Sequence, residues 1–407
     1  MKQSILQFAK DPAAWQTFLE YKTEKQHLSV REQQEILTFL QREAYLPLCR
    51  AWEEERFPST LPVRQIVNKE GTTKKRAVYT FEGDEGIFLK FIAFQLYRYD
   101  SVFSDNCYAF RRHYGIRYAV LKLTSESELA SMYCLKADIS NYFNSIDVTL
   151  LLEKLSFIRQ EDASLYQLFE KLLLEDRVIE NRRMIHDQHG AMAGMPLSPF
   201  FANVYLKDVD QFFLQEQIPY FRYSDDILIF AADPEKLKVC QHLLEEQIRA
   251  HGLTMNPEKV HIYAPDEPVE FLGFSFQGST VDLSANTVQK IKAKIRRKAH
   301  SLRRWQQKKG IPEEKAAIGF IHAMNAKFFG AGNGDDFCWN RWFFPNLTTD
   351  RSLKEIDRYM QEYIRFCVTG RHYKGNYRIK YETMKQWGYQ SLVHEYYRRG
   401  FRDDQKV

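Results

Sequence analysis

The sequence contains no uninterrupted apolar run approaching the roughly 18 residues of a membrane-crossing helix, no charged-then-apolar N-terminal stretch of the secretory kind, and no internal repeat or low-complexity tract. Membrane spanning and secretion are therefore not expected. Cysteine is sparse and scattered, at Cys49, Cys107, Cys134, Cys240, Cys338 and Cys367. With no Cys-x-x-Cys pair, the six form neither a zinc signature nor a disulfide framework, so the expected compartment is a reducing cytoplasm. An excess of one charge sign is lacking too. Lys and Arg number 58 against 53 Asp and Glu, a net charge of +5, so a nucleic-acid surface has to come from the distribution of charge, not its total. What is present is a chain of 407 residues, 44% of them apolar, enough for two or three subdomains around a substantial core.

The densest chemistry lies in Phe221-Arg222-Tyr223-Ser224-Asp225-Asp226-Ile227-Leu228-Ile229-Phe230. Two strand-length runs of apolar and aromatic residues flank Ser-Asp-Asp, which predicts a β-hairpin with two carboxylates at its tip. Adjacent like charges in an apolar surround repel and are poorly solvated, and a divalent cation compensates them well. Taken alone, an Asp-Asp turn is usually an ordinary solvated loop. Upstream, Met132-Tyr133-Cys134-Leu135-Lys136-Ala137-Asp138-Ile139 reads as a second buried strand carrying one acid. Three carboxylates on neighbouring strands can hold two Mg²⁺ ions. Between the two strands, Ser198 as N-cap and Pro199 as first helical residue predict a helix with apolar positions at Phe201, Val204, Tyr205, Phe212 and Phe213.

In order, Ala137-Asp138-Ile139-x-x-Tyr142-Phe143, Gly194-x-Pro196-x-Ser198-Pro199-x-x-Ala202-Asn203 and Tyr223-x-Asp225-Asp226 resemble the palm motifs of reverse transcriptases, particularly the bacterial kinds of retrons, group II introns and phage-defence systems. The resemblance covers the chain from near residue 60 to near residue 280. It implies an α+β right-hand polymerase fold: an N-terminal helical extension at 1–60, fingers at 61–130, a palm of antiparallel sheet and helices at 131–285 with a helical insertion over 148–190, and a helical thumb and C-terminal region at 286–407. It also implies nucleotidyl transfer, a primer 3′-hydroxyl attacking the α-phosphate of an incoming deoxynucleotide while pyrophosphate leaves. Asp138, Asp225, Asp226 and the Ile139 carbonyl would then hold two Mg²⁺ ions, and Lys259 would protonate the leaving group.

The same resemblance places Lys69 and Arg76, on a hairpin with a basic tip, over the triphosphate. Arg111, in the aromatic and basic stretch Tyr108–Arg117, and Gly194 join the nucleotide pocket. Phe143, five residues after Asp138, stands where a ring collides with a 2′-hydroxyl, so deoxynucleotides are the expected substrates. Phe271, Leu272 and Gly273 match the hairpin that grips the primer end. One position departs from the pattern: many members carry glutamine where this chain has Ala193.

Elsewhere the clearest feature is Val288 to Lys309, with ten Lys or Arg and no acid. Val288, Ile291, Ile295, Ala299 and Leu302 recur at helical spacing, which leaves Lys292, Arg296, Arg297, Arg303 and Arg304 for a nucleic-acid backbone. Residues 148–190 read as mostly helical, and His186 and His189 lack the further ligands of a metal site. The tail interleaves Arg371, Lys374, Arg378, Lys380 and Lys385 with Tyr373, Tyr377, Tyr381 and Tyr389, the pattern of an RNA surface or of a packed cap. The expected activity is RNA-directed DNA synthesis on a structured noncoding RNA, with chain length and helical tail closest to stand-alone defence enzymes. Expected partners are the RNA template, the DNA product and deoxynucleotides, with a homo-oligomer or partner protein left open. Two rivals stand beside it: a template-independent or protein-primed polymerase, and an inactive RNA-binding scaffold.

Overall fold

The runs that flank the paired acids and the run before Asp138 fold as adjacent strands of one sheet. The computed structural model describes residues 3–25, 28–68, 75–330 and 338–403. Its strands are β1 (Val63–Asn68), β2 (Lys75–Thr80), β3 (Tyr133–Asp138), β4 (Arg177–Glu180), β5 (Arg183–His186), β6 (Tyr220–Tyr223), β7 (Asp226–Ala231), β8 (His261–Tyr263), β9 (Val269–Phe271), β10 (Phe274–Gln277) and β11 (Thr280–Leu283). Helices make up the larger part of an α+β chain. It divides into two compact units, Met1–His27 with Arg31–Glu267, and Leu28–Val30 with Pro268–Val407.

In the first unit the palm sheet has the order β6-β7-β3-β8, each pair antiparallel. β3 is central and reads as a near-continuous apolar run because both its faces are covered; Cys134, Leu135 and Ala137 are fully buried. β7 buries Ile227 through Ala231 in the same way. Helix Pro234–Ala250, capped by the Asp233 carboxylate on Lys236 N, lays Leu237, Leu244 and Ile248 inward and packs on β7 and β3.

The helix opened by the Ser-Pro motif runs Ser198–Tyr205 and is buried along most of its length. Two expectations fail there. Leu197 occupies the N-cap, and the Ser198 hydroxyl turns back toward the carbonyls of Ala191 and Met192. The expected single helix also breaks at Leu206, so Phe212 and Phe213 belong to a second helix, Lys207–Gln215.

A second sheet of the first unit has the order β2-β1-β4-β5. β1 and β2 pair antiparallel from Val63↔Thr80 to Asn68↔Lys75, and β4 joins β1 in parallel at Ile179. The mostly helical reading of 148–190 holds as far as Leu174; after helix Ala163–Leu174 the chain makes the β4–β5 hairpin. Its turn residues Asn181 and Arg182 sit at φ 50° and 63°, the left-handed pair of a two-residue hairpin turn. Residues before 60 pack onto helix Gly83–Gln95, where Trp15 stacks on Phe91 at 4.0 Å and Phe57 meets Phe88 edge-on.

In the second unit, β9, β10 and β11 form an antiparallel meander of their own. The break between units falls at Glu267–Pro268. Helix Ala285–Lys309 starts at Ser284, whose hydroxyl accepts from Thr287 N, and stops at Gly310, φ 64°. Val288, Ile291, Ile295 and Ala299 are buried, and the helix packs on helices Glu313–Phe329 and Arg351–Thr369. Among the described residues no helix is long and apolar enough to cross a membrane.

Candidate active site

β3 ends at Asp138, β7 begins at Asp226, and the register sets the two residues directly opposite each other. Asp225 stands on the turn between β6 and β7, after Ser224 at φ 62°. Backbone bonds tie this turn to its neighbours: Ile139 N donates to Asp225 O at 3.2 Å, and Asn256 N donates to Asp138 O at 2.7 Å. The three carboxylates thus share one end of one sheet.

Asp138 is buried, and Asp225 and Asp226 are half-buried. Burial and then the negative charge of Asp138 raise the Asp225 carboxyl above the ordinary carboxylate range. Burial and then Asp225 push Asp226 up to about 6, against the opposing charges of Lys136 and Lys259. Lys259 closes the turn Pro257–Lys259, and its ammonium is ion-paired to Asp138 Oδ2. Among the described residues no three Asp, Glu, His or Cys side chains close around one point as an ion site requires. The donor set nevertheless suits a hard divalent cation: three oxygen-bearing acids, two with raised pKa values, in a setting that positive charge would relieve.

The strongest charge pair in this region was hidden from sequence reasoning. Arg222 and Asp210 both have fully buried side chains. Arg222 Nε donates to Asp210 Oδ1 at 2.6 Å and Nη2 to Oδ2; Nη2 also reaches Cys107 Sγ at 3.1 Å, and Nη1 donates to Ser224 O at 3.2 Å. The guanidinium thereby fastens the residue that precedes Asp225 to helix Lys207–Gln215. An arginine inside an otherwise apolar strand was the available signal.

A second group surrounds Phe143. Its ring is half-buried and meets Phe110 edge-on, centroids 6.2 Å apart. Asn144 Oδ1 accepts from Ala193 N at 3.0 Å, and Tyr79 N donates to Ala193 O at 2.8 Å. Gly194 follows at φ 102°, where an added Cβ would lie 3.1 Å from Tyr79 O. The loop before the Ser-Pro helix is therefore sewn between β2 and the Phe143 turn, through backbone atoms that Ala193 supplies as well as glutamine would. Gly194 and Phe110 also line a cleft of about 340 Å³ with Tyr21, Lys22 and Lys90. Burial and then Lys90 lower Lys22 to about 8.

Three of the expected binding residues are engaged by partners within the chain. Arg111 is buried; Nη1 donates to Ser104 O and Cys107 O, Nη2 to Asp100 O, and the guanidinium lies 3.6 Å from the Tyr114 ring centroid. It closes a loop and presents no fork to a nucleotide. Lys292 is paired with Glu355 and lies over Tyr359. Arg303 donates to Cys367 O and Val368 O and pairs with Glu313. Both act as struts within the second unit, whereas Arg296, Arg297 and Arg304 are exposed. Phe271, Leu272 and Gly273 form the β9–β10 turn, also in the second unit, with Gly273 O accepting from Ser284 N at 2.9 Å. Arg76 is an exposed position of β2, and Lys69 lies outside the described residues.

A family model of the reverse transcriptase (RNA-dependent DNA polymerase) domain matches residues 67–276, just over half of the chain. A search of curated proteins gave no significant match. Among solved structures, the chain is similar to apo telomerase from Candida tropicalis truncated from its C-terminal domain, at 12% identity and TM-score 0.45, covering 55% of each chain. It is likewise similar to Candida albicans telomerase in complex with the TWJ fragment of telomeric RNA, at 12% identity and TM-score 0.41, covering 80% of this chain and 63% of that one. This chain thus spans a little over half to under two thirds of the length of those telomerases. With the palm motifs inside the matched segment, the chain belongs to the reverse transcriptase (RNA-dependent DNA polymerase) family.

Proposed function

We propose that this chain is an RNA-directed DNA polymerase that extends a primer 3′-hydroxyl with deoxynucleotides. The observation that carries this is the placement of Asp138 opposite Asp226, with Asp225 beside them, on the sheet end that the family motifs mark. Two Mg²⁺ ions held by Asp138, Asp225, Asp226 and the Ile139 carbonyl would supply charge neutralisation at the triphosphate and acidify the attacking hydroxyl. The chain's own residues do the rest. Arg222 and the Ile139 amide hold the Asp225 turn. Phe143, braced by Phe110, forms the wall against which a ribose 2′-hydroxyl would collide. Lys259 neutralises Asp138 in this arrangement, and its side chain, 41% exposed, is long enough to meet a leaving pyrophosphate instead. Arg76 and Lys69 are the proposed triphosphate contacts. The finer reading has a structured noncoding RNA as template, in antiphage defence in a bacterial cytoplasm. It is supported by the sequence resemblance alone.

The test is deoxynucleotide incorporation with Mg²⁺ by the purified protein and its co-purifying RNA, beside Asp225→Ala and an RNase-treated sample. Synthesis that needs both the acid and the RNA is expected, and product sequencing names the template. Acid-dependent synthesis that survives RNase would replace the templated reading with untemplated or protein-primed extension. No synthesis by the wild type would favour the scaffold.

A further inference from the structure

In the second unit, the sequence between helix Arg351–Thr369 and the terminal helices carries Arg371, His372, Tyr373, Lys374, Tyr377, Arg378 and Lys380, all exposed, and no acid before Glu382. Tyr373 and Tyr377 are 51% and 59% exposed, high for rings that could have packed. Tyr389 shows the alternative in the same unit: it is buried, its hydroxyl donating to Asp357 at 2.8 Å. Tyr389 thus packs as part of a cap, whereas Tyr373 and Tyr377 face outward.

The exposed pair is held on a fixed support. Asn376 is buried inside the short turn Lys374–Arg378, and its Nδ2 donates to Arg371 O at 2.6 Å. Arg365 Nε donates to Ile379 O at 3.2 Å while its guanidinium sits 4.9 Å from the Tyr377 ring centroid. Gly375 lacks the Cβ that would fall 2.4 Å from Tyr373 Cε2, so that ring lies across the turn. Presenting two rings in advance lowers the ordering cost of binding a base.

The patch continues a second basic face. His372 stacks on Phe366 at 4.9 Å and 13°, and Phe366 meets His300 of helix Ala285–Lys309 at 4.6 Å. Arg296 and Arg304 lie four residues on either side of His300, hence on its face, and both are exposed. Exposed rings interleaved with cations match unpaired bases and their phosphates; a duplex, its bases already stacked, could use only the cations.

We propose that Arg371–Lys380 is a platform for single-stranded RNA, with Tyr373 and Tyr377 stacking bases and Arg371, Lys374, Arg378 and Lys380 holding phosphates. The site lies in the second unit and does not rest on the polymerase reading, because its test contains neither deoxynucleoside triphosphate nor metal.

The test is fluorescence anisotropy of the full chain in EDTA with a labelled 20-nucleotide oligouridylate and, separately, an RNA duplex of equal length. Tyr373→Ala/Tyr377→Ala is expected to weaken single-strand binding by about tenfold or more and duplex binding by less than about twofold. Tyr373→Phe/Tyr377→Phe, which keeps the stacking faces, should bind like the wild type, and its thermal melt serves as the folding control. Lys374→Gln/Arg378→Gln should flatten the slope of log affinity against log salt by roughly 1.4, about 0.7 per phosphate contact on a single strand. The proposal is overturned if the alanine pair binds oligouridylate within twofold of wild type, if single strand and duplex weaken equally, or if the phenylalanine pair fails as the alanine pair does.

Discussion

Asp226→Asn should make the metal-free protein more stable at neutral and alkaline pH, but not near pH 4. Asp226 titrates at about 6 in the folded chain against 3.8 for an ordinary aspartate, because burial and Asp225 oppose its charge. Its native pKa is raised, so the folded state binds more protons than the unfolded one between those two values. Stability therefore falls as pH rises through that window and stays low above it. That rise in pKa corresponds to about 3 kcal/mol, and solvent screening of the half-buried side chain lowers it to about 2 kcal/mol. Asparagine keeps the shape and removes the charge. Thermal melts in EDTA should then show the variant a few degrees above wild type at pH 8 and level with it near pH 4, the gap opening between. Millimolar Mg²⁺ should narrow the gap at pH 8 by stabilising the wild type. A variant that melts at or below wild type at pH 8 in EDTA would refute the claim that these acids are held together against repulsion.

Three further outcomes follow from the same geometry. Arg222→Met leaves Asp210 charged and fully buried, so urea unfolding should show a loss of about 3–5 kcal/mol, and Arg222→Met/Asp210→Leu should recover part of it; equal losses would mean that the pair is not the source. Phe143→Ala should admit ribonucleotides, lowering the deoxy-to-ribo preference in single-nucleotide incorporation by about tenfold or more, with deoxynucleotide incorporation kept. Lys259→Met should lower the maximal rate by roughly 100-fold; an unchanged rate would remove Lys259 from proton transfer.

The acids were legible because each borders an apolar run, and such runs have few places to go except the middle of a sheet. Asp138 and Asp226 face each other since β3 and β7 are both buried strands that stop at the same edge. Arg222 was illegible for the converse reason. A charged residue in a strand reads as exposed, and its partner Asp210 lies on a helix whose separate existence depended on a break at Leu206. The β4–β5 hairpin was lost in a leucine-rich helical pattern, its strands being four residues each. Arg111 fails differently: aromatic and basic residues suit base stacking, and the same types close a loop when a guanidinium finds three carbonyls. Composition names the chemistry available to a segment; it does not say which donors the fold has already engaged.

Helix Ala285–Lys309 shows how much of that distinction helical arithmetic recovers. At about 100° per residue, Lys292 and Arg303 fall at the margin of the stripe formed by Val288, Ile291, Ile295 and Ala299, Arg296 lies further round, and Arg297 and Arg304 lie opposite. The partners follow the same order. Lys292 and Arg303, nearest the packed face, are taken by Glu355, Glu313 and the carbonyls at the end of helix Arg351–Thr369, while Arg296, Arg297 and Arg304 remain exposed. A run of one charge sign is thus two populations, separated by angle. If phosphates bind this helix, Arg297→Gln/Arg304→Gln should lower RNA affinity and flatten its salt dependence without moving the melting temperature, whereas Arg303→Gln, which strips the Cys367 and Val368 carbonyls of a donor, should lower the melting temperature and leave the salt slope in place.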